Sequence, residues 1–139
     1  MNALGAIYKY WAAVLFVGVI VQVGAAGYGA FNAAHKSGDN GAITNKAFDH
    51  GFNFHTGFGY VLFIGAVILF VLALAARLGK TRVLWALAVP VLVFLQIVLG
   101  RVGQDHPVVG ILHPINALLI FGLTGLLAHR AWRGAAPAA

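Results

Sequence analysis

Four long apolar stretches dominate the chain, at about residues 11–31, 51–76, 83–100 and 107–128, with short polar connections between them. Each is close to the roughly 20 residues that a helix needs to cross the core of a bilayer. Gln22 alone interrupts the first. The runs are continuous, whereas the strands of a membrane barrel would alternate lipid-facing and interior residues. Backbone groups in hydrocarbon must be satisfied within the segment, as a helix does. The pattern therefore predicts an all-α fold, an integral membrane four-helix bundle. It occupies 1–139 as a single transmembrane domain, with a short flexible C-terminal tail at 134–139. The one long connection, Asn32–Asp49, is polar and turn-rich. Lys9, an apolar run and then Gly24, Ala25 and Ala26 have the outline of a signal peptide, but the segment is read here as a retained first span. Pro90 and Pro114 fall inside spans and are expected to bend them. No internal repeat is evident beyond a histidine near the start of spans two and four.

Composition sharpens the class. Hydrophobic residues make up 61% and charged residues 9% of the 139, against about 25% charged in a soluble domain, too few to cover a water-facing surface. The net charge of +6 does not indicate nucleic acid, since there is no basic run and no aromatic-interleaved patch. It indicates orientation instead. Four spans put both termini and the second loop on one side, which holds Lys9, Arg77, Lys80, Arg82, Arg130 and Arg133 and no acid. The other side holds Lys36, Lys46 and Arg101 with all three acids, Asp39, Asp49 and Asp105. By the positive-inside rule both termini are cytoplasmic and the protein is integral to the cell (inner) membrane. Trp11, Trp85 and Trp132 fall at the same helix ends, as an interfacial belt predicts. Cysteine and glutamate are absent. That excludes disulfides, thiolate metal sites, iron–sulfur ligation and cysteine nucleophiles, and it leaves carboxylate-pair chemistry poorly supplied.

Six histidines against three acids is an unusual ratio for a membrane chain. His35 lies in the first loop, and His129 at the inner end of span four beside Arg130, where snorkelling accounts for it. His50 and His106 sit at the outer mouths of spans two and four, where an interfacial role accounts for them. His55 and His113 lie deeper, roughly 7–10 Å inside their spans at 1.5 Å per residue. Ionisable groups inside a membrane are costly and mark function by default. Two neutral imidazoles at matched depth on parallel helices can share one iron, as an axial haem pair requires. The alternative is that they only hydrogen-bond across helices or to carbonyls freed by Pro114. Phe58, with Phe52, Phe54 and Phe63, offers apolar walls, and Gly57 and Gly59 offer room for a porphyrin. Arg101, Lys46 and His106 are positive partners for propionates. Without cysteine the haem is held non-covalently, as haem b or a derivative. His50 and His106 are the fallback ligands. No third ligand sits at that depth, which disfavours zinc.

The segment Phe94–Arg130 carries a Q-x-x-L-G pattern at Gln96–Gly100, then His113 and Ala117 on the next span. In this it resembles one four-helix half of haem A synthase, and likewise related small bacterial four-helix haem-binding membrane proteins. The resemblance covers spans two to four. It implies histidine ligands on the second and fourth helices, for which His55, with His50 in reserve, and His113 are the matches. The synthase's catalytic half has a carboxylate just before its first ligand histidine. Here the corresponding residue is Phe52, and glutamate is absent. The resemblance thus implies haem binding rather than haem oxidation, and no catalytic residue is assigned.

Two functions are expected in competition. One is a b-type haem protein for electron transfer or haem handling near the outer face, with a quinone or a periplasmic redox partner and a homodimer or larger membrane complex as its setting. The other is a cofactor-free accessory subunit that packs glycine-rich faces against partner helices. Transport is a weaker third, since Gln22, Asn53, Gln96, Asn116 and Thr124 are few and suit interhelical hydrogen bonds.

Overall fold

A computed structural model describes residues 3–37 and 41–133. Asp39 and the tail at 134–139 lie outside the described residues. The helices are α1 (Ala3–His35), α2 (Asn45–Ala75), α3 (Lys80–Asp105), the single turn α4 (Pro107–Gly110) and α5 (Leu112–Arg133). All four membrane-length segments, with α4 and α5 counted as one, are apolar enough to cross a bilayer. They pack as a ring in which α1 touches α2, α2 touches α3, α3 touches α5 and α5 touches α1. Across the two diagonals, α1 to α3 and α2 to α5, the described backbones do not meet.

The helices outrun the apolar stretches because backbone hydrogen bonding continues after the side chains turn polar. α2 starts six residues before Gly51, at Asn45, where the Thr44 hydroxyl accepts from the Ala47 amide at 3.2 Å and caps the first turn. It ends in a paired turn in which Leu78 donates to Ala73 and Arg77 to Leu74, with Arg77 in the left-handed region at φ 54°. Glycine normally takes that position.

The core is built on small residues. Ala12, Ala66, Ala73 and Ala86 are almost fully buried beside Leu15, Leu69 and Val89, which lets the helices approach closely. Trp85 and Trp132 are exposed, as belt residues should be. Trp11 has a second role: half-buried, its Nε1 donates to the Gly65 carbonyl at 2.8 Å and ties α1 to α2. Pro90 lies in the interior of α3. Pro114 is expected to bend its span, and the span is interrupted at Ile111, between α4 and α5 and within one turn ahead of Pro114. The proline lacks the N–H that would bond the Gly110 carbonyl four residues back, and its ring crowds that carbonyl.

The expectation of no internal repeat is corrected by the two hairpins. Gly29 of α1 meets Gly51 of α2 so closely that a Cβ on Gly51 would stand 2.6 Å from the Gly29 carbonyl oxygen. Gly103 of α3 meets Gly110 of α4 likewise, with a Cβ on Gly103 at 2.7 Å from the Gly110 Cα. Gln22 and Gln96 each precede their glycine by seven residues, and His55 and His113 follow theirs by four and three. Each hairpin is thus pinned by a glycine pair near one end, with a glutamine and a histidine about one to two turns below it.

Candidate functional site: a histidine pair between two helix hairpins

The repeat brings two imidazoles together. The rings of His55 on α2 and His113 on α5 have centroids 6.2 Å apart, with planes inclined at 62°. They approach each other edge to face across the diagonal on which the α2 and α5 backbones stay apart. Both rings are half-buried.

Each ring is held by its own hairpin. His55 Nδ1 is 3.2 Å from the Gln22 carbonyl oxygen of α1, and His113 Nδ1 is 3.0 Å from the Gln96 carbonyl oxygen of α3. A carbonyl can only accept, so Nδ1 carries the proton in both rings, and in the neutral imidazole Nε2 then keeps its lone pair. No hydrogen bond engages either Nε2 among the described residues. The cross-helix hydrogen bonds expected of structural histidines are therefore present, but they use only one nitrogen of each ring. They run to Gln22 and Gln96 and not to a carbonyl freed by Pro114.

The surrounding polar atoms have the same character. Gln22 Nε2 donates to the His55 carbonyl at 2.8 Å. Asn116, one turn below His113 and 4% exposed, donates to the Leu92 carbonyl at 2.9 Å and to Gln96 Oε1 at 2.7 Å. Gln22 Oε1 and Asn116 Oδ1 are buried with no hydrogen-bond partner. The two Nε2 atoms, Gln22 Oε1 and Asn116 Oδ1 are thus four acceptors to which no described residue donates.

The other predicted residues are distributed unevenly. Gly100 stands against the ring, where a Cβ would lie 3.1 Å from His113 Cε1. The Q-x-x-L-G spacing thereby acquires a reason: Gln96 and Gly100, one turn apart, both meet His113. Gly59 makes room for the Gln22 amide, since a Cβ there would lie 3.1 Å from Nε2, while Gly57 is exposed with open space around it. Phe58 stacks on Phe54 at 5.3 Å and packs into the core beside Gly18. Phe52 approaches the His55 ring edge-on at 6.0 Å. Arg101 follows Gly100 and so lies near the level of the pair, but it is exposed, with its guanidinium donating to the Tyr60 hydroxyl at 3.3 Å.

The fallback ligands stand apart from this pair. His106 is exposed at the junction of α3 and α4, and His50 is exposed in an open hollow with Lys46, Asp49 and Asn53. Among the described residues no group of three or more histidines and acids is poised to hold a metal ion. Thr124 is absorbed by its own helix, donating to the Ile120 carbonyl at 2.7 Å. Sequence reasoning missed the ring-orienting role of the Gln22 and Gln96 carbonyls, although each glutamine is the conspicuous polar residue of an otherwise apolar span.

No protein-family model, curated protein sequence or solved structure matches the chain.

Proposed function

We propose that His55 and His113 would together hold one non-covalently bound haem, and that the protein is a b-type haem protein of the membrane. The observation that carries this reading is the separation of the two rings. Metal–imidazole nitrogen bonds of about 2 Å, added to about 1 Å from nitrogen to ring centre on each side, would put the centres of two rings sharing one metal at most about 6 Å apart. The centroids are 6.2 Å apart. The spacing thus fits one interposed iron, and two rings with bare Nε2 lone pairs and no donor between them suit an electrophile there.

His55 and His113 would hold the iron through Nε2. The Gln22 and Gln96 carbonyls fix each tautomer and make each ligand more basic, the usual arrangement behind a metal-bound histidine. A bis-histidine haem supplies one-electron transfer and leaves no open coordination position. The chain's own residues supply the rest. Gly100 keeps space beside one ring, and Phe52 covers the edge of the other. The likeness of Gln96–Gly100, His113 and His55 to the haem A synthase pattern points the same way. The distribution of Lys and Arg supports an orientation with both termini in the cytoplasm, which sets the pair in the outer half of the membrane.

The test is a reduced-minus-oxidised absorption spectrum of the purified chain, with His55→Ala and His113→Ala beside it. A low-spin signal in the parent, lost in each variant, is expected. A parent that takes up no haem, while both variants assemble as it does, would establish the accessory-subunit reading instead.

A further inference from the structure

The opposite end of the bundle holds a second, unrelated constellation. Between the end of α5, the start of α3 and the start of α1 lies a cleft of about 490 Å³, a size typical of small-molecule sites. Arg82, Arg130 and Arg133 line it, together with Tyr8, Thr81 and Trp85. Every one of these side chains has an N–H or O–H to donate. Tyr8 is only 4% exposed, yet its hydroxyl and the three guanidinium groups make no hydrogen bond or ion pair with any described residue. Among the described residues no acid lies at this end, because Asp49 and Asp105 belong to the far ends of α2 and α3.

A cation at the rim of a membrane helix needs no ligand, and Lys9 illustrates that case. Its ammonium sits 3.8 Å over the Trp132 ring, satisfied by the aromatic face. The three arginines differ in converging on one concave surface whose inner wall is a buried phenol. Planar guanidinium forks suit the tetrahedral oxygens of phosphate, which they bind in bidentate fashion. Basic pockets between helices at a membrane face commonly take phosphorylated headgroups.

We infer that this cleft is a binding site for a phosphate group, held by Arg82, Arg130 and Arg133 with the Tyr8 and Thr81 hydroxyls completing the donor set. The same chemistry is offered by the headgroup of an anionic phospholipid and by phosphate dissolved in the adjoining water. The site is independent of the histidine pair, about which it assumes nothing.

The experiment uses the full chain in neutral detergent, with tryptophan fluorescence followed during titration with phosphatidylglycerol, phosphatidylcholine and sodium phosphate. Saturable binding of phosphatidylglycerol, weakened about tenfold or more in Arg82→Gln and in Arg130→Gln, is expected if lipid is the source. Saturation by sodium phosphate with the same sensitivity identifies the soluble source. Lys9→Gln, which removes the same charge from the same end outside the cleft, should leave either titration unchanged. Three results overturn the proposal: no saturation with any probe, equal binding of phosphatidylcholine, or equal weakening by Lys9→Gln and the arginine variants.

Discussion

Gln22 and His55 hold each other twice. The Gln22 carbonyl meets His55 Nδ1 at 3.2 Å, and the Gln22 amide donates back to the His55 carbonyl at 2.8 Å. The second hairpin keeps only the first contact, since the Gln96 side chain turns to Asn116. In both hairpins the atom that orients the ring is a backbone oxygen, which no side-chain substitution removes. Gln22→Leu should therefore lower stability by about 1 kcal/mol, the scale of an interhelical hydrogen bond in a membrane, and, if the pair holds haem as proposed, leave the haem spectrum intact. Unfolding in mixed micelles measures the first and absorption the second. Loss of the spectrum would show that the amide, not the carbonyl, positions His55.

Two glycine pairs set how closely each hairpin closes. Gly51→Ala drives a Cβ to 2.6 Å from the Gly29 carbonyl oxygen, and Gly103→Ala to 2.7 Å from the Gly110 Cα. Both obstacles are backbone, which cannot rotate aside, so the helices must part. Overpacking of this kind costs about 1–3 kcal/mol, and parting the hairpins disturbs the histidines that they carry. Gly24→Ala and Gly122→Ala meet nothing within 4 Å and should be neutral or stabilising by up to about 1 kcal/mol through helix propensity. Thermal unfolding of the four variants should separate into these two pairs.

The architecture was legible because hydrocarbon leaves so few options. Four continuous apolar runs admit only helices, and short connections force neighbours to pack antiparallel. His55 and His113 were legible for a related reason, since an imidazole inside a span needs a partner. The internal repeat was hidden by its sparseness, for a glutamine, a glycine pair and a histidine recur while the rest is free to vary among apolar residues. Gly57 and Gly59 were both read as room beside His55, but only Gly59, four residues on, shares its face and meets Gln22, whereas Gly57, two residues on, lies on the other side in open space. Pro114 was legible too: the break in the last span falls at Ile111, three residues ahead of it, where the missing N–H and the ring disturb the preceding turn.

Gly100→Ala isolates the ring from the scaffold. The added Cβ lies 3.1 Å from His113 Cε1 and 3.2 Å from Nδ1, so the imidazole has to yield by a few tenths of an ångström while the helix backbone meets no obstacle. Alanine also gains about 1 kcal/mol of helix propensity over glycine, which offsets the contact. Stability should thus change little, whereas, if His113 holds haem as proposed, the ferric low-spin signal in electron paramagnetic resonance should shift because the imidazole has been displaced. A variant that unfolds early with an unchanged signal would place Gly100 in packing alone.

The histidines themselves allow a sharper separation of the two functional readings than the presence of colour. If the rings only tie α1 to α2 and α3 to α5, each variant forfeits one cross-helix hydrogen bond on a separate hairpin. The losses in His55→Ala and His113→Ala should then add in the double variant, apart from a coupling of about 0.5–1.5 kcal/mol from the contact between the two rings. If both rings grip one iron, removing either abolishes most of the stabilisation that a ligand confers by binding the native state alone. Each single variant should then cost nearly as much as the double, a strongly non-additive cycle. Repeating the cycle on haem-depleted protein should restore additivity to within that coupling, because the hydrogen bonds to Gln22 and Gln96 remain when the shared partner is gone. Additive losses with and without added haem would leave the pair a structural device.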